Sequence, residues 1–175
     1  MTQQEQVILV DQNDIAIGTC EKLEAHLESK LHRAFSIFLI RERQGKRDVL
    51  LQQRHPEKYH SGNLWANTCC SHPRPDESVI SAGERRLQEE LGITAPLTEI
   101  GSFIYKAQLT DTLCEYEFDH VLIGSFEGDL IPFNKSEAIA VKWMDIDTLK
   151  TDLNTHPEHY VVWLKEALNH LLDNL

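Results

Sequence analysis

The sequence predicts a single mixed domain, α/β or α+β, in which short strands outnumber a few helices. Three observations predict it. The 175 residues suit one domain, and the 41% apolar content suits a packed core rather than a disordered chain. Short apolar runs recur between turns rich in Gly, Pro, Asp and Asn. Three stretches carry helix-capping residues ahead of an apolar or helically spaced run. No internal repeat and no low-complexity linker divides the chain.

The elements follow in order. Residues 7–10 and 15–18 flank Asp11-Gln12-Asn13-Asp14 and read as a β-hairpin. Residues 21–30 are polar and charged, with His26 inside them. His32 opens the next element, residues 33–41, rich in Phe and Ile and bounded by Gln44-Gly45-Lys46. Residues 49–53 return as its partner, and this pair reads as central strands. Residues 55–63 form a loop punctuated by Pro56 and Gly62, with Arg54 at its start and Lys58 within it. Residues 65–70 are extended, and 73–77 make a second loop. Asp76 or Ser78 can cap a helix that runs to Leu91, with Gly92 beyond its end; Ile80, Gly83, Leu87 and Leu91 share one face. Residues 97–107 and 113–126 read as strands joined through Thr110-Asp111-Thr112, and 138–143 as another. Asp145 caps a short helix. Thr155-His156-Pro157-Glu158 has capping-box spacing with an early proline and opens a last helix over 157–175.

Composition narrows the function classes. A net charge of −11 argues against a general nucleic-acid or anionic-membrane binder, so positive charge for an anionic ligand must be local. The first residues are polar and lack a basic, apolar leader. The longest apolar run, 34–40, is too short to span a bilayer. Cys20, Cys69, Cys70 and Cys114 form no CxxC and read as reduced thiols of a cytoplasmic protein. The expected assembly is a monomer or weak homodimer.

Four constellations carry chemistry. Glu115 and Glu117 share one face of a strand, with Asp119 next along it. Parallel carboxylates repel unless they are solvated or bridged by a cation, and spacing alone favours a solvent-facing stripe. His26 and His32 are spaced as neither a helical pair nor a metal clip. Joined by His72 and the two glutamates, they make a mixed N/O set suited to Zn, Mn, Fe or Mg rather than to structural tetrahedral zinc. Cys69 and Cys70 point to opposite sides of an extended segment, so one can be core while the other faces a site. Lys22, Arg54, Lys58 and Arg86 look like solvated charges, except that Arg86 lies i,i+4 from Glu90. Gathered round a metal site, these four cations would localise a diphosphate.

At this point a resemblance enters. Ser71-x5-Glu77-x7-Arg85-Arg86-Leu87-x-Glu89-Glu90-Leu91-Gly92-Ile93 resembles the Nudix box, with Ser71 where Gly is usual and Arg86 where Glu is usual. Those departures argue against an ordinary Nudix hydrolase, which needs the full acidic set for Mg²⁺. Together with Asn67-Thr68-Cys69-Cys70-Ser71-His72-Pro73 they match the type I isopentenyl-diphosphate isomerases, over about residues 7–163. The resemblance implies a Nudix-like fold of mixed β-sheets flanked by helices. It implies isomerisation of isopentenyl to dimethylallyl diphosphate in isoprenoid biosynthesis. His26, His32, His72, Glu115 and Glu117 resemble the ligands of one divalent metal, Mn²⁺, Zn²⁺ or Mg²⁺. Glu90, with the Cys70 carbonyl, would hold a second Mg²⁺ on the diphosphate, and Lys22, Arg54, Lys58 and Arg86 would hold the diphosphate itself. Cys70 and Glu117 resemble the proton-handling pair, with Tyr105 a third candidate. Trp163 resembles the aromatic that faces the carbocation, and Trp65 offers a second indole for that role.

Two other readings stand beside this one. A Nudix-type diphosphate hydrolase would need Glu89, Glu90 and Mg²⁺ but not Cys70. A metal-binding interaction domain would keep the histidine cluster and show no turnover.

Overall fold

A computed structural model describes residues 5–175. β1 (Gln6–Val10) and β2 (Ala16–Glu21) form the expected antiparallel hairpin, and α1 (Lys22–Leu27) follows at once. The polar stretch holding His26 is therefore a short helix, which its lack of apolar periodicity hid. β3 (His32–Arg43) and β4 (Lys46–Arg54) are the central hairpin. The extended segment after the 55–63 loop divides in two. β5 (Trp65–Ala66) adds to β4, and β6 (Cys69–Ser71) adds to β3. α2 (Val79–Leu91) comes next, then the antiparallel pair β7 (Thr98–Gln108) and β8 (Cys114–Ser125). β9 (Ala138–Asp145) joins β4, and α3 (Ile146–Thr155) and α4 (Leu164–Asp173) complete the chain. β8 runs parallel to β3, placing His32 beside Glu117 and Ala34 beside Asp119.

Alternation along the strands builds two cores. Phe35, Ile37 and Leu39 of β3, Leu50 of β4 and Leu122 of β8 face α2, together with Leu87 and Leu91. Phe38, Val49, Leu51 and Val121 face the other way, onto α3 and α4, where Leu164, Leu168 and Leu171 are buried. The sheet is thus buried on both faces, and each fully buried Leu or Phe contributes about 1.5–3 kcal/mol. α2 lies close against the sheet at Gly83, where an added Cβ would stand 2.8 Å from Leu97 Cδ1 and 2.9 Å from Leu122 Cδ1. Its caps are local chemistry. Ser78, not Asp76, is the N-cap, accepting from the Ser81 amide, and Gly92 ends the helix at φ 63.

The last helix departs from expectation. It begins at Leu164, not Pro157; residues Pro157–His159 make one 3₁₀ turn. Thr155 does not cap it, because its hydroxyl donates to the Thr151 carbonyl of α3. Tyr160 is extended and bridges in parallel to Trp65, whose carbonyl accepts from the Val161 amide. This contact interrupts the helix and delivers Trp163 to the interior.

Candidate active site

The site lies at the end of the sheet where β3 and β8 begin. Here α1, the 55–63 loop, β6 and the Trp163 turn meet around a half-open cleft. Parallel register fixes its floor. His32 at the start of β3 stands beside Glu117 of β8, so an imidazole and a carboxylate meet through backbone pairing alone.

Glu115, Glu117 and Asp119 are not a solvent-facing stripe. They are 3%, 5% and 2% exposed, because the sheet face they share is covered by the α1 and Tyr59–His60 side. Three imidazoles stand close to these carboxylates. His72 Nε2 is 2.7 Å from Glu117 Oε2, His32 Nε2 is 3.4 Å from the same oxygen, and His26 Nε2 is 3.6 Å from Glu115 Oε1. The ligand atoms of His26, His32 and His72 lie within 4.8 Å of one another. Backbone carbonyls set two of the rings. His26 Nδ1 contacts the Lys22 carbonyl at 2.7 Å and His32 Nδ1 the Lys30 carbonyl at 2.8 Å. With Nδ1–H donated outward, each Nε2 lone pair is left inside, the arrangement of a metal-ligating histidine. His32 Nε2 and Glu115 Oε2 are buried without a hydrogen-bond partner. These residues fit a divalent cation.

The protonation pattern is uneven. Burial opposes charge on Glu117, but hydrogen bonds and charge from His32 and His72 outweigh it and hold the carboxyl well below its usual range. Tyr105 donates its hydroxyl to Glu117 Oε1, and burial beside Glu115 and Glu117 pushes that phenol up. Burial, then the Glu117 charge, pushes Asp119 well above the carboxylate range; Ser36 donates to its Oδ2 at 2.7 Å. Burial also pushes the Cys70 thiol up.

β6 splits its two cysteines as alternation demands. Cys69 enters the α2 core, whereas Cys70 lines the cleft. Cys70 Sγ is 2.9 Å from Asn67 Oδ1 and accepts from Trp163 Nε1 at 3.2 Å. Asn67, fully buried, also accepts from Trp163 Nε1 at 3.2 Å and donates to the Ile37 and Cys69 carbonyls.

The four cations expected from sequence all line this cleft. Lys22 pairs with Glu5 at 3.0 Å, Lys58 with Glu137, and Arg86 with Glu90 at 2.6 Å and Glu137 at 3.5 Å. Arg54 donates to the His60 carbonyl at 3.2 Å and lies 5.7 Å from the Trp163 ring. The Nε atoms of Arg54 and Arg86 are buried and without a hydrogen-bond partner. Glu90 is 3% exposed; its second oxygen accepts from Gln52 and Cys69, each at 3.0 Å.

Of the residues expected to serve isomerisation, His26 and His32 stand buried against Glu115 and Glu117 without lining the cleft, and Trp65 lies apart. It does not line the cleft; its ring is covered by Lys142 Nζ at 4.0 Å, because β5 turns it toward β9 rather than toward β6. Sequence reasoning missed Tyr59, His60 and Glu137. Tyr59 OH reaches His26 Nε2 at 3.2 Å, and His60 Nε2 stands 3.3 Å from Glu115 Oε1. The only sequence signal for Tyr59 and His60 was their nearness to Lys58 in an otherwise aperiodic loop, and Glu137, 79 residues beyond Lys58, gave none. Two Nudix-box carboxylates are engaged elsewhere. Glu77 forks onto Arg85 at 2.8 Å, and Glu89 pairs with Arg85 and Arg86; neither lines the cleft.

Comparison with known proteins agrees with this geometry. The NUDIX domain model matches residues 30–164. Isopentenyl-diphosphate Delta-isomerase 1 of Aromatoleum aromaticum is 47% identical over 97% of this chain and 93% of its own length. The isopentenyl-diphosphate Delta-isomerase of Photobacterium profundum is 45% identical over 98% of this chain and 97% of its own. Among solved structures, DR0079 from Deinococcus radiodurans superposes with a TM-score of 0.75 at 20% identity, covering 94% of this chain and 98% of that one. The MutT protein of Methanosarcina mazei gives 0.65 at 18% identity over 82% of this chain and 95% of that one. The likeness to these two structures is one of fold. The chain belongs to the Nudix superfamily and, within it, to the isopentenyl-diphosphate Delta-isomerases.

Proposed function

We infer that this chain interconverts isopentenyl diphosphate and dimethylallyl diphosphate. The observation that carries the reading is one cleft that holds a thiol and an ionised carboxylate on separate strands, beside four cations of which two, Arg54 and Arg86, each keep an unpartnered Nε. Moving the double bond means adding a proton to the terminal alkene carbon, which leaves a tertiary cation, and removing one from the carbon next to the diphosphate-bearing methylene. Cys70 and Glu117 are the proton-handling pair, with Tyr105 hydrogen-bonded to Glu117 as the group that relays or holds a proton there. Trp163, anchored through its indole N–H to Asn67 and Cys70, offers a face to positive charge and supplies no nucleophile. Lys22, Arg54, Lys58 and Arg86 bind the diphosphate, and that remote binding energy positions the reacting carbons.

His26, His32, His72, Glu115 and Glu117 would hold one divalent ion, Mn²⁺, Zn²⁺ or Mg²⁺. Glu90 and the Cys70 carbonyl would hold a Mg²⁺ that arrives with the diphosphate. Such ions supply fixed positive charge that orients Glu117 and neutralises the diphosphate. No helix among the described residues is long and apolar enough to cross a membrane. Cys20, Cys69, Cys70 and Cys114 are unpaired, which supports a reducing, cytoplasmic setting.

Proton NMR of isopentenyl diphosphate with the protein and Mg²⁺ in deuterated water tests the reading. Deuterium-bearing dimethylallyl diphosphate without free phosphate is expected. Release of phosphate with the double bond unmoved would instead make the protein a hydrolase.

A further inference from the structure

Outside the cleft, one group of metal-ligating side chains stands where α3 ends. Asp152 and His156 are one turn apart, and His159 follows on the 3₁₀ turn; one ligand atom from each lies within 4.8 Å of the others. His156 Nδ1 is 3.0 Å from Asp152 Oδ1. Two atoms bound to one ion at about 2.1 Å and near-tetrahedral or octahedral angles lie roughly 3.0–3.4 Å apart, so this pair already has the separation of neighbouring ligands. The two imidazoles lie parallel, centroids 5.1 Å apart and planes 5° apart. His159 is 57% exposed, so its side chain is free to rotate and bring a nitrogen to the same point.

Three further features prepare the group. The Tyr160 hydroxyl donates to Asp152 Oδ2, fixing the carboxylate with Oδ1 turned to His156, the role of a supporting residue behind a ligand. The backbone is tied down: the His156 amide donates to the Asp152 carbonyl at 2.7 Å, and the His159 amide to the His156 carbonyl at 3.1 Å. The ligands also sit at the C-terminal, electronegative end of a ten-residue helix, where a cation is favoured.

We infer that Asp152, His156 and His159 form a second cation site, selective for borderline transition-metal ions of the Zn²⁺ class. Two imidazoles and one carboxylate suit Zn²⁺, Ni²⁺ or Cu²⁺ and disfavour Mg²⁺, which prefers oxygen. An ion here clips the end of α3 to the turn that leads through Tyr160 to Trp163. The site uses none of the residues assigned to the isomerisation and does not depend on that assignment.

The test is calorimetric titration of Zn²⁺ into the full-length, Mg²⁺-loaded protein and into its His156→Gln and His159→Gln variants. Zn²⁺ taken up at the cleft appears equally in all three and cancels. Loss of a supporting residue costs roughly 10–100-fold in affinity, and loss of a ligand at least that. One binding event should therefore weaken about ten-fold or more in each variant, with isomerase turnover unchanged. Isotherms of the variants that superpose on the wild type would overturn the inference. So would ring-nitrogen NMR signals of His156 and His159 that stay unshifted in the wild type at saturating Zn²⁺.

Discussion

Replacing Asn67 by Ala removes a residue that touches no substrate in the scheme above, yet the change should damage both stability and turnover. Its amide donates to the Ile37 and Cys69 carbonyls, each at 3.1 Å, and its Oδ1 meets Trp163 Nε1 at 3.2 Å and Cys70 Sγ at 2.9 Å. Asn67 is fully buried. Two good amide–carbonyl bonds are worth about 1 kcal/mol each net, and the loss of the oxygen acceptor of the indole N–H, which keeps only the Cys70 sulfur, adds about 1 kcal/mol more, for a total of about 3 kcal/mol. In a chain of this size each kcal/mol lowers Tm by about 2–4 °C, so a drop of roughly 6–12 °C is expected. Urea unfolding gives the free energy directly. Because Cys70 and Trp163 both lose an anchor while the rim cations do not, kcat should fall with KM little changed. A loss below about 1 kcal/mol, or a rise in KM at constant kcat, would refute the claim that Asn67 positions the thiol and the indole.

Cys70→Ala and Glu117→Gln should each abolish deuterium incorporation while leaving a folded protein by circular dichroism; full activity in either removes that residue from the mechanism. Arg86→Ala leaves the buried Glu90 without its cation and should cost about 3 kcal/mol, the low end of the range for broken buried pairs because Arg86 still reaches solvent, with KM for the diphosphate raised. Chelator treatment should lower Tm, because Glu115 and Glu117 then stay close together without a bridging charge; readdition of Mn²⁺, Zn²⁺ or Mg²⁺ should restore it. The hydrogen bond from Arg85 holds Glu77 below its usual pKa, so its stabilisation is present above about pH 4.5 and is lost as pH falls. As a partly exposed surface pair it is worth at most about 1 kcal/mol, and Glu77→Gln should flatten the acid limb of the stability profile by that amount.

What could be read from the sequence was what local chemistry determines. Ser78 and Gly92 bracket α2 because a cap and a left-handed residue act within one turn. The hairpins formed where turn residues interrupt apolar runs. The carboxylate stripe was a different matter, since two-residue spacing places Glu115, Glu117 and Asp119 on one face without saying which face. Only the parallel docking of β8 on β3, and the cover of α1 and the 55–63 loop, turned that face inward. The final helix was read seven residues too early, from Pro157 rather than Leu164. A capping-box pattern cannot reveal that Tyr160 and Val161 will be drawn onto Trp65 from a segment far away in sequence. His60 belongs to the same class: a single histidine in a loop has no period to betray it. The motif residues of the cleft were legible as a set, with Trp65 the exception.

The parallel strand pairing also governs when the site can exist. Ser36 and Asp119, hydrogen-bonded across it, are 83 residues apart in sequence. Closing so long a loop carries an entropic cost that only the finished pairing offsets. A chain growing on a ribosome therefore exposes His26, His32 and His72 long before Glu115 and Glu117 are synthesised. Until β8 has emerged and aligned with β3, those imidazoles have no carboxylates opposite them. A cation held by the histidines and the two glutamates together could therefore be captured only late in the maturation of this protein.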